Sequence, residues 1–198
     1  VETCPQYLLL TDERYQEPDF AGAKYVCSPP LRAARDRAAL TRAMLGGEID
    51  TIATDHCSYT LAQKAIGKND FSRIPNGLPG VEHRPEAFYA AFVDTGLLSA
   101  AQMCRLLAIN PSRQFGMYPK KGVLCPGSDA DIVLWDCAAR GSIRASDQLQ
   151  NTDYTPYEGM KLAGRPRHVL LNGEVAVRDG GIVLENAGRY VARNPVEV

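Results

Sequence analysis

DTIATDHCS, residues 50–58, is the stretch of sequence on which the fold depends. Its first half, residues 50–54, is a short run rich in β-branched and apolar residues, which predicts a buried strand. Asp55 follows at the carboxyl end of that strand, where parallel α/β proteins carry their catalytic residues. By pattern alone, Asp55 fits a cap of the next turn, beside Thr54 and Ser58, more often than a catalytic role. Both roles stay open at this point.

Strands and helices alternate along the first part of the chain. The pattern predicts strands over residues 3–10 and 24–27 and helices over residues 33–45, 86–93 and 99–109. Gly46-Gly47 ends the first of these helices, while Pro85 suits the first turn of the second and Ser99 suits the N-cap of the third. This alternation favours an α/β fold with a parallel sheet over residues 1–117.

The pattern changes to β structure from about residue 118 onward. Residues 130–135 predict a strand after the Pro126-Gly127 turn. Asn172-Gly173 lies between two runs rich in β-branched residues, which is the strongest short-range signal for a hairpin. Asp179-Gly180 marks a second turn. We therefore expect a small β module over residues 118–184, followed by a polar tail over residues 185–198.

Composition excludes several classes of function. The chain has 198 residues, a hydrophobic fraction of 45%, a charged fraction of 23% and a net charge of −1. These values are ordinary for a globular protein and give no electrostatic basis for binding nucleic acid or an anionic membrane. No apolar run reaches the roughly 20 residues of a membrane span. Six cysteines without a C-x-x-C pair predict buried, reduced thiols and a cytoplasmic location.

The supply of metal ligands is small. His56 follows Asp55, but neighbouring residues of a strand point to opposite faces, so His56 is interpreted as a loop histidine rather than a ligand of the same metal. The chain contains only three histidines, at positions 56, 83 and 168. A binuclear hydrolytic site needs several converging imidazoles and carboxylates, and this sequence does not supply them.

Two loops rich in proline and glycine contain further candidates. Asn76 lies in IPNGLPGVEHRP, residues 74–85, where glycines allow a close approach of the backbone to a ligand. Ser28 lies in VCSPPLR, residues 26–32, and has no neighbouring histidine to make it a nucleophile. A rigid connector is the simpler interpretation of each loop when it is taken alone.

Taken together, these segments resemble a known family. ETCPQYLLL, GAKYVCSPPLR, TDHCSYTLAQKAIGKNDFSRIPNGLPGVEHRP, NPSRQFGMYPKKGVLCPGSDADIVLWD and DYTPYEGM occur in the order and spacing found in dihydropyrimidinases and D-hydantoinases. The resemblance covers nearly the whole chain. It implies a TIM barrel with a flanking β-sandwich: residues 1–117 would form the C-terminal part of the barrel, and residues 118–184 the C-terminal strands of the sandwich.

The resemblance also implies a chemistry, the opening of hydantoins and 5,6-dihydropyrimidines to N-carbamoyl amino acids. Family members hold two divalent metals, usually zinc, bridged by a carboxylated lysine and a hydroxide. Of the ligands, only the aspartate matches a position here, Asp55, with the roles of metal ligand and proton acceptor. Ser28 and Asn76 match positions whose main-chain groups bind the cyclic amide. The implied assembly is a homo-oligomer, a tetramer or a dimer.

The resemblance assigns the four histidines and the lysine to positions upstream of Val1. We therefore expect this chain to be a fragment of the enzyme, inactive by itself, and prone to oligomerise through exposed strand edges. Two alternatives remain: a non-enzymatic dihydropyrimidinase-related scaffold protein, and a sister hydrolase, an allantoinase or a dihydroorotase. Retention of Asp55 and Asn76 favours an enzyme, and CPQYLLL with AQKAIGKNDF favours the hydantoinase branch.

Overall fold

A computed structural model describes residues 1–196 of the chain. The α-helices are α1 Pro5–Leu9, α2 Ala34–Leu45, α3 Leu61–Lys64, α4 Arg84–Phe88, α5 Ala100–Cys104 and α6 Asn110–Gln114. The strands are β1 Glu2–Thr3, β2 Thr51–Ile52, β3 Ile132–Asp136, β4 Gly141–Ser142, β5 Lys161–Leu162, β6 Arg165–Leu171, β7 Glu174–Arg178 and β8 Gly181–Ile182. Short 3₁₀ turns cover Asp12–Gln16, Ala21–Tyr25, Ala65–Gly67, Phe71–Arg73 and Ala145–Asp147.

The strand predicted over residues 50–54 is present, although it is shorter than expected. β2 pairs in parallel with β1, with Glu2 opposite Thr51 and Thr3 opposite Ile52. Ile52 is fully buried in a core to which helices α1, α2 and α4 contribute. This core consists of Leu8, Met44, Ile49, Ile52, Phe88, Phe92, Leu98 and Leu106. The α/β character expected of the first part of the chain is confirmed by this parallel pair and its helices.

The three predicted helices are also present. α2 begins one residue after its predicted start, and Ser99 caps α5 by accepting a hydrogen bond from the Gln102 amide. α4 continues as a π-helical turn, Tyr89–Val93, and α5 continues as another, Arg105–Ile109. The second π-helical turn, Arg105–Ile109, comes just before Pro111. Proline has no N–H to donate to the previous turn of a helix, and the wider π turn accommodates the missing hydrogen bond.

Two of the predicted strands are wrong. Only Thr3 of residues 3–10 lies in a strand, because Pro5 occupies the first turn of α1 and fixes the backbone dihedral that a helix needs. Residues 24 and 25 end a 3₁₀ turn, Ala21–Tyr25, and residues 26 and 27 lie in neither a helix nor a strand. A Cβ on Gly22 would lie 2.5 Å from the Tyr15 carbonyl oxygen, so this turn packs directly on the preceding backbone. Short buried apolar runs carry no period that separates helix from strand.

The β module contains a four-stranded antiparallel sheet in the order β3-β6-β7-β8 and a separate antiparallel pair of β4 and β5. The predicted hairpin is confirmed as β6 and β7. Its turn residues, Asn172 and Gly173, have φ values of 53° and 86°, as the tight hairpin turn requires. Asp179 and Gly180 form the second predicted turn, with φ values of 49° and 81°.

Residues 185–196 contain neither helix nor strand, and the Asn194 amide donates to the Gly116 carbonyl at 2.9 Å. The last two residues of the predicted tail, 197 and 198, lie outside the described residues. Within residues 1–196, no helix combines the length and the apolar character needed to cross a membrane.

All six cysteines are free thiols, as predicted, but only two of them are buried. Cys4 and Cys27 lie in the interior. The expectation of buried thiols is wrong for the four that lie on loops or on the outer side of a helix, namely Cys57, Cys104, Cys125 and Cys137.

Candidate active site

Asp55 lies just beyond the carboxyl end of β2. The parallel pairing extends past the strand, since the Ala53 amide donates to the Thr3 carbonyl at 2.8 Å. Asp55 then adopts a left-handed backbone with φ of 47°, a region that aspartate tolerates better than most residues and that is enriched at functional sites. Its side chain is exposed, and no hydrogen bond among residues 1–196 uses its carboxylate. The alternative role as a turn cap therefore has no hydrogen bond to support it.

His56 has a structural partner in the loop that carries Asn76. Its Nδ1 accepts hydrogen bonds from the amides of Gly80 at 3.1 Å and Val81 at 3.2 Å. Because both partners are donors, Nδ1 must be unprotonated, and the proton of the neutral ring lies on Nε2. His56 thus joins the Asp55 segment to the following loop, which agrees with its interpretation as a loop histidine.

Backbone hydrogen bonds join the three segments that carry the predicted site residues. The Cys57 amide, two residues after Asp55, donates to the Leu78 carbonyl at 3.1 Å. The Gly77 amide, next to Asn76, donates to the Val26 carbonyl at 3.0 Å, two residues before Ser28. The structure therefore brings the neighbourhoods of all three residues together at one end of the parallel strand pair.

Two adjacent cavities open at this junction. Ser28 and Asn76 line one cavity of about 590 Å³, together with Phe71. Asp55 and Tyr7 line a second cavity of about 600 Å³. Both cavities share Pro30 on their walls. The structure thus groups Ser28 with Asn76 and places Asp55 in the neighbouring cavity.

Two further residues at the junction escaped prediction from the sequence. Tyr7, within the segment predicted to be a strand, donates from its hydroxyl to the Pro29 carbonyl at 2.9 Å. Burial raises the pKa of Tyr7, so the phenol keeps the proton that it donates. Lys64 is 1% exposed and donates from Nζ to three backbone carbonyls. An isolated lysine in a polar stretch gives no sequence signal of burial.

The buried thiols near Asp55 are protonated at neutral pH. Burial is the main cause that raises the pKa of Cys4 to about 12, and the nearby Asp55 carboxylate adds to it. Burial likewise raises the pKa of Cys27. Because the thiolate is the form that binds metals and attacks electrophiles, neither cysteine is a ligand or a nucleophile in this state.

The described part of the chain does not form a complete metal site by itself. Residues 1–196 contain no group of three or more histidine, cysteine, aspartate or glutamate side chains placed to hold a metal ion. The exposed Asp55 carboxylate, free of protein hydrogen bonds, is a hard oxygen donor of the kind that divalent cations accept. It fits the role of one ligand in a larger set.

A parallel strand pair packed against helices, with an exposed carboxylate beyond its carboxyl end, is typical of α/β proteins that carry their catalytic residues at the strand ends. A model of the amidohydrolase family matches residues 8–176, and the chain belongs to this family. Family membership implies a divalent metal.

Proteins similar to this chain carry the names of the family that its sequence motifs resemble, D-hydantoinase and dihydropyrimidinase. A D-hydantoinase of Streptomyces coelicolor is 46% identical over 179 residues, which are 90% of this chain and 38% of the relative. A D-hydantoinase of Ralstonia pickettii is 45% identical over 194 residues, 97% of this chain and 42% of the relative. The crystal structure of a dihydropyrimidinase from Brevibacillus agri superposes with a TM-score of 0.94 at 41% identity, covering 97% of this chain and 42% of that structure. The chain therefore spans about two fifths of the length of the curated relatives it matches.

Proposed function

We propose that this chain forms part of the active site of a cyclic-amide hydrolase that opens hydantoins or 5,6-dihydropyrimidines to N-carbamoyl amino acids. The observation that carries the proposal is the hydrogen-bonded junction of three segments, each of which contains one predicted site residue. Relatives named D-hydantoinase and dihydropyrimidinase, similar over nine tenths or more of this chain, support the choice of substrate class.

Asp55 holds a divalent metal and accepts a proton in this proposal. Its exposed carboxylate has no competing hydrogen bond within residues 1–196. A divalent metal supplies a water of lowered pKa and polarises the substrate carbonyl. The carboxylate of Asp55 takes up a proton during attack and delivers it to the leaving ring nitrogen, which is general acid–base catalysis by a positioned side chain. Two zinc ions and a bridging carboxylated lysine are the set that the resemblance implies.

Ser28 and Asn76 orient the substrate through their main-chain groups. A cyclic amide presents an alternating –CO–NH–CO– edge, which backbone N–H and C=O groups match without any side-chain charge. The two residues line one cavity, and both are exposed to it. Neither side chain is needed as a nucleophile.

The larger architecture follows the same proposal. We assign residues 1–117 to the C-terminal part of a TIM barrel, because β1 and β2 are parallel and surrounded by helices. Residues 118–184 correspond to strands of a β-sandwich, because their main sheet is antiparallel throughout. A cytoplasmic homo-oligomer, a tetramer or a dimer, completes the proposal.

The test uses the complete protein that carries this chain, purified with zinc and assayed on dihydrouracil and hydantoin. Asp55→Ala is expected to lose bound metal and to lower turnover by about 100- to 10,000-fold, the contribution of a positioned acid–base group. Asp12→Asn is the matched control, because the Asp12 side chain is exposed and lines neither of the two cavities at the junction. Near-normal metal content and turnover in Asp55→Ala contradict the proposal.

A further inference from the structure

Lys64 is a buried ammonium without an acidic partner among residues 1–196. It ends α3, is 1% exposed and takes part in no ion pair of the described chain. Its Nζ donates to the carbonyls of Val26 at 2.8 Å, Pro75 at 2.6 Å and Gly77 at 2.9 Å. An ammonium has three donors, so all of them are used. Burying an unpaired charge is costly, and these charge-assisted bonds offset that cost.

The three carbonyls belong to the two segments proposed to hold the substrate. Val26 lies two residues before Ser28, while Pro75 and Gly77 flank Asn76 on either side. The Lys64 ammonium therefore links both loops at one atom. The Gly77 amide also donates to the Val26 carbonyl, so lysine and backbone together fix the separation of the loops.

The bond to Pro75 reaches the substrate-binding group through a single peptide unit. The carbonyl of Pro75 and the N–H of Asn76 belong to the same peptide. A cation on the carbonyl oxygen polarises that peptide, and hydrogen bonds in such chains strengthen one another. The N–H of Asn76 becomes a better donor toward a substrate carbonyl as a result.

The lysine itself is held by its helix. Thr60 caps α3 through a capping box with Gln63. The carboxylate of Asp153 accepts a hydrogen bond from the Leu61 amide at 2.9 Å. Burial lowers the pKa of Lys64 to about 8, which still leaves most of the ammonium charged at pH 7.

We propose that Lys64 is a positioning residue for the cyclic-amide substrate: its ammonium holds the loops of Ser28 and Asn76 at a fixed separation and polarises the Asn76 peptide. This inference rests on the proposed function. In this arrangement the Asn76 N–H donates to the ring carbonyl that is not attacked, in the ground state and in the transition state alike. Loss of uniform binding raises KM and leaves kcat nearly unchanged.

The experiment compares Lys64→Met with wild type in the complete zinc-loaded protein, using hydantoin or dihydrouracil. Methionine keeps much of the length of the side chain and removes the charge and all three donors. We expect KM to rise about 10- to 100-fold, as for a misplaced binding group, with kcat within about threefold and metal content unchanged. Lys68→Met is the matched control, because Lys68 is exposed on the same segment, and it is expected to keep the wild-type KM.

A purely structural role gives a different result. It lowers the fraction of folded enzyme, which reduces apparent kcat and leaves KM unchanged; that outcome overturns the inference. If Lys64→Met does not fold, Lys64→Arg keeps the charge but changes its geometry, and a KM at the wild-type level in Lys64→Arg overturns the inference as well. A wild-type protein that binds zinc but hydrolyses neither compound refutes the proposed function instead, so the two failures are distinguishable.

Discussion

Replacing Gly77 by alanine tests the close packing of the Asn76 loop on the Asp55 segment. A Cβ at Gly77 would lie 2.3 Å from the Cys57 carbonyl oxygen and 2.7 Å from the Cys57 Cβ. Real Cβ atoms do not approach closer than 3.0 Å, so one segment must move by about 0.7 Å. Gly77 also has a φ of 151°, which a side chain disfavours. Overpacking of this kind costs about 1–3 kcal/mol of stability.

The displacement should also be visible in catalysis by the complete protein. A shift on the order of 1 Å in a substrate-positioning group lowers the rate by about 100-fold, so we expect kcat/KM of Gly77→Ala to fall about 10- to 100-fold, with a lower Tm. Gly80→Ala is the matched control in the same loop, because its Cβ would meet only Thr54 side-chain and carbonyl atoms at 3.6 Å or more. Equal kcat/KM in the two variants contradicts the close packing of Gly77 on Cys57.

Four further predictions concern the complete protein. Iodoacetamide at pH 8 should modify the exposed thiols far faster than Cys4, measured by peptide mass spectrometry. The reason is that the pKa of Cys4, about 12, leaves roughly 1,000-fold less thiolate than in an ordinary cysteine. Equal labelling of Cys4 and the exposed thiols contradicts the burial of Cys4. The labelled thiols are Cys57, Cys104, Cys125 and Cys137. Ile52→Ala should destabilise the fold by about 2–5 kcal/mol in urea unfolding, because Ile52 is fully buried beneath the site; a loss below about 1 kcal/mol argues against that core. Thr60→Ala removes the α3 capping box and should cost about 1 kcal/mol in the same assay. Burial raises the pKa of Asp131, but the hydrogen bond to the Lys121 ammonium outweighs burial, and the net effect is a lowered pKa. The Asp131–Lys121 pair therefore stabilises the fold at pH values above the pKa of Asp131 in the unfolded chain. This stabilisation is lost as pH falls through the lower pKa of the folded protein. Lys121→Ala should therefore flatten the acid limb of the stability curve below about pH 4, and an unchanged limb contradicts the pairing.

Local chemistry explains why some elements follow from the sequence. Asn172-Gly173 supplies the two positive φ values of a tight hairpin turn, and few other residue pairs do so without strain. The capping role of Ser99 is equally local, since its partner Gln102 is three residues away. Such features depend on neighbours in the chain, and the sequence displays them directly.

The apolar pattern of residues 3–10 predicts a strand where the structure has a helix, α1. The apolar residues of this segment pack on both of the cores described by the structure: Leu8 in one and Leu10 in the other. Burial on several sides removes the period that identifies a helix. Pro5 was the local signal for a helix start, and it carries more information here than the apolar run.

The candidate site was predictable only in part. Asp55 is placed by a strand that the sequence shows, and the resemblance selects it over a turn cap. The role of Lys64 was not predictable from the sequence. One of its partners, the carbonyl of Val26, lies 38 residues away along the chain, and the residue types at these two positions do not indicate a contact. A backbone acceptor can belong to any residue, so contacts of this kind appear only in the folded structure.

The role of Asp55 as a metal ligand is tested most directly by a crystal structure of the complete protein with zinc, located by anomalous scattering. We expect a carboxylate oxygen of Asp55 at about 2.0–2.2 Å from a zinc ion, the usual distance for this pair. We also expect the ion to lie at the junction of the segments carrying Ser28, Asp55 and Asn76. A fully occupied metal site in which the Asp55 carboxylate points away from every ion contradicts this role.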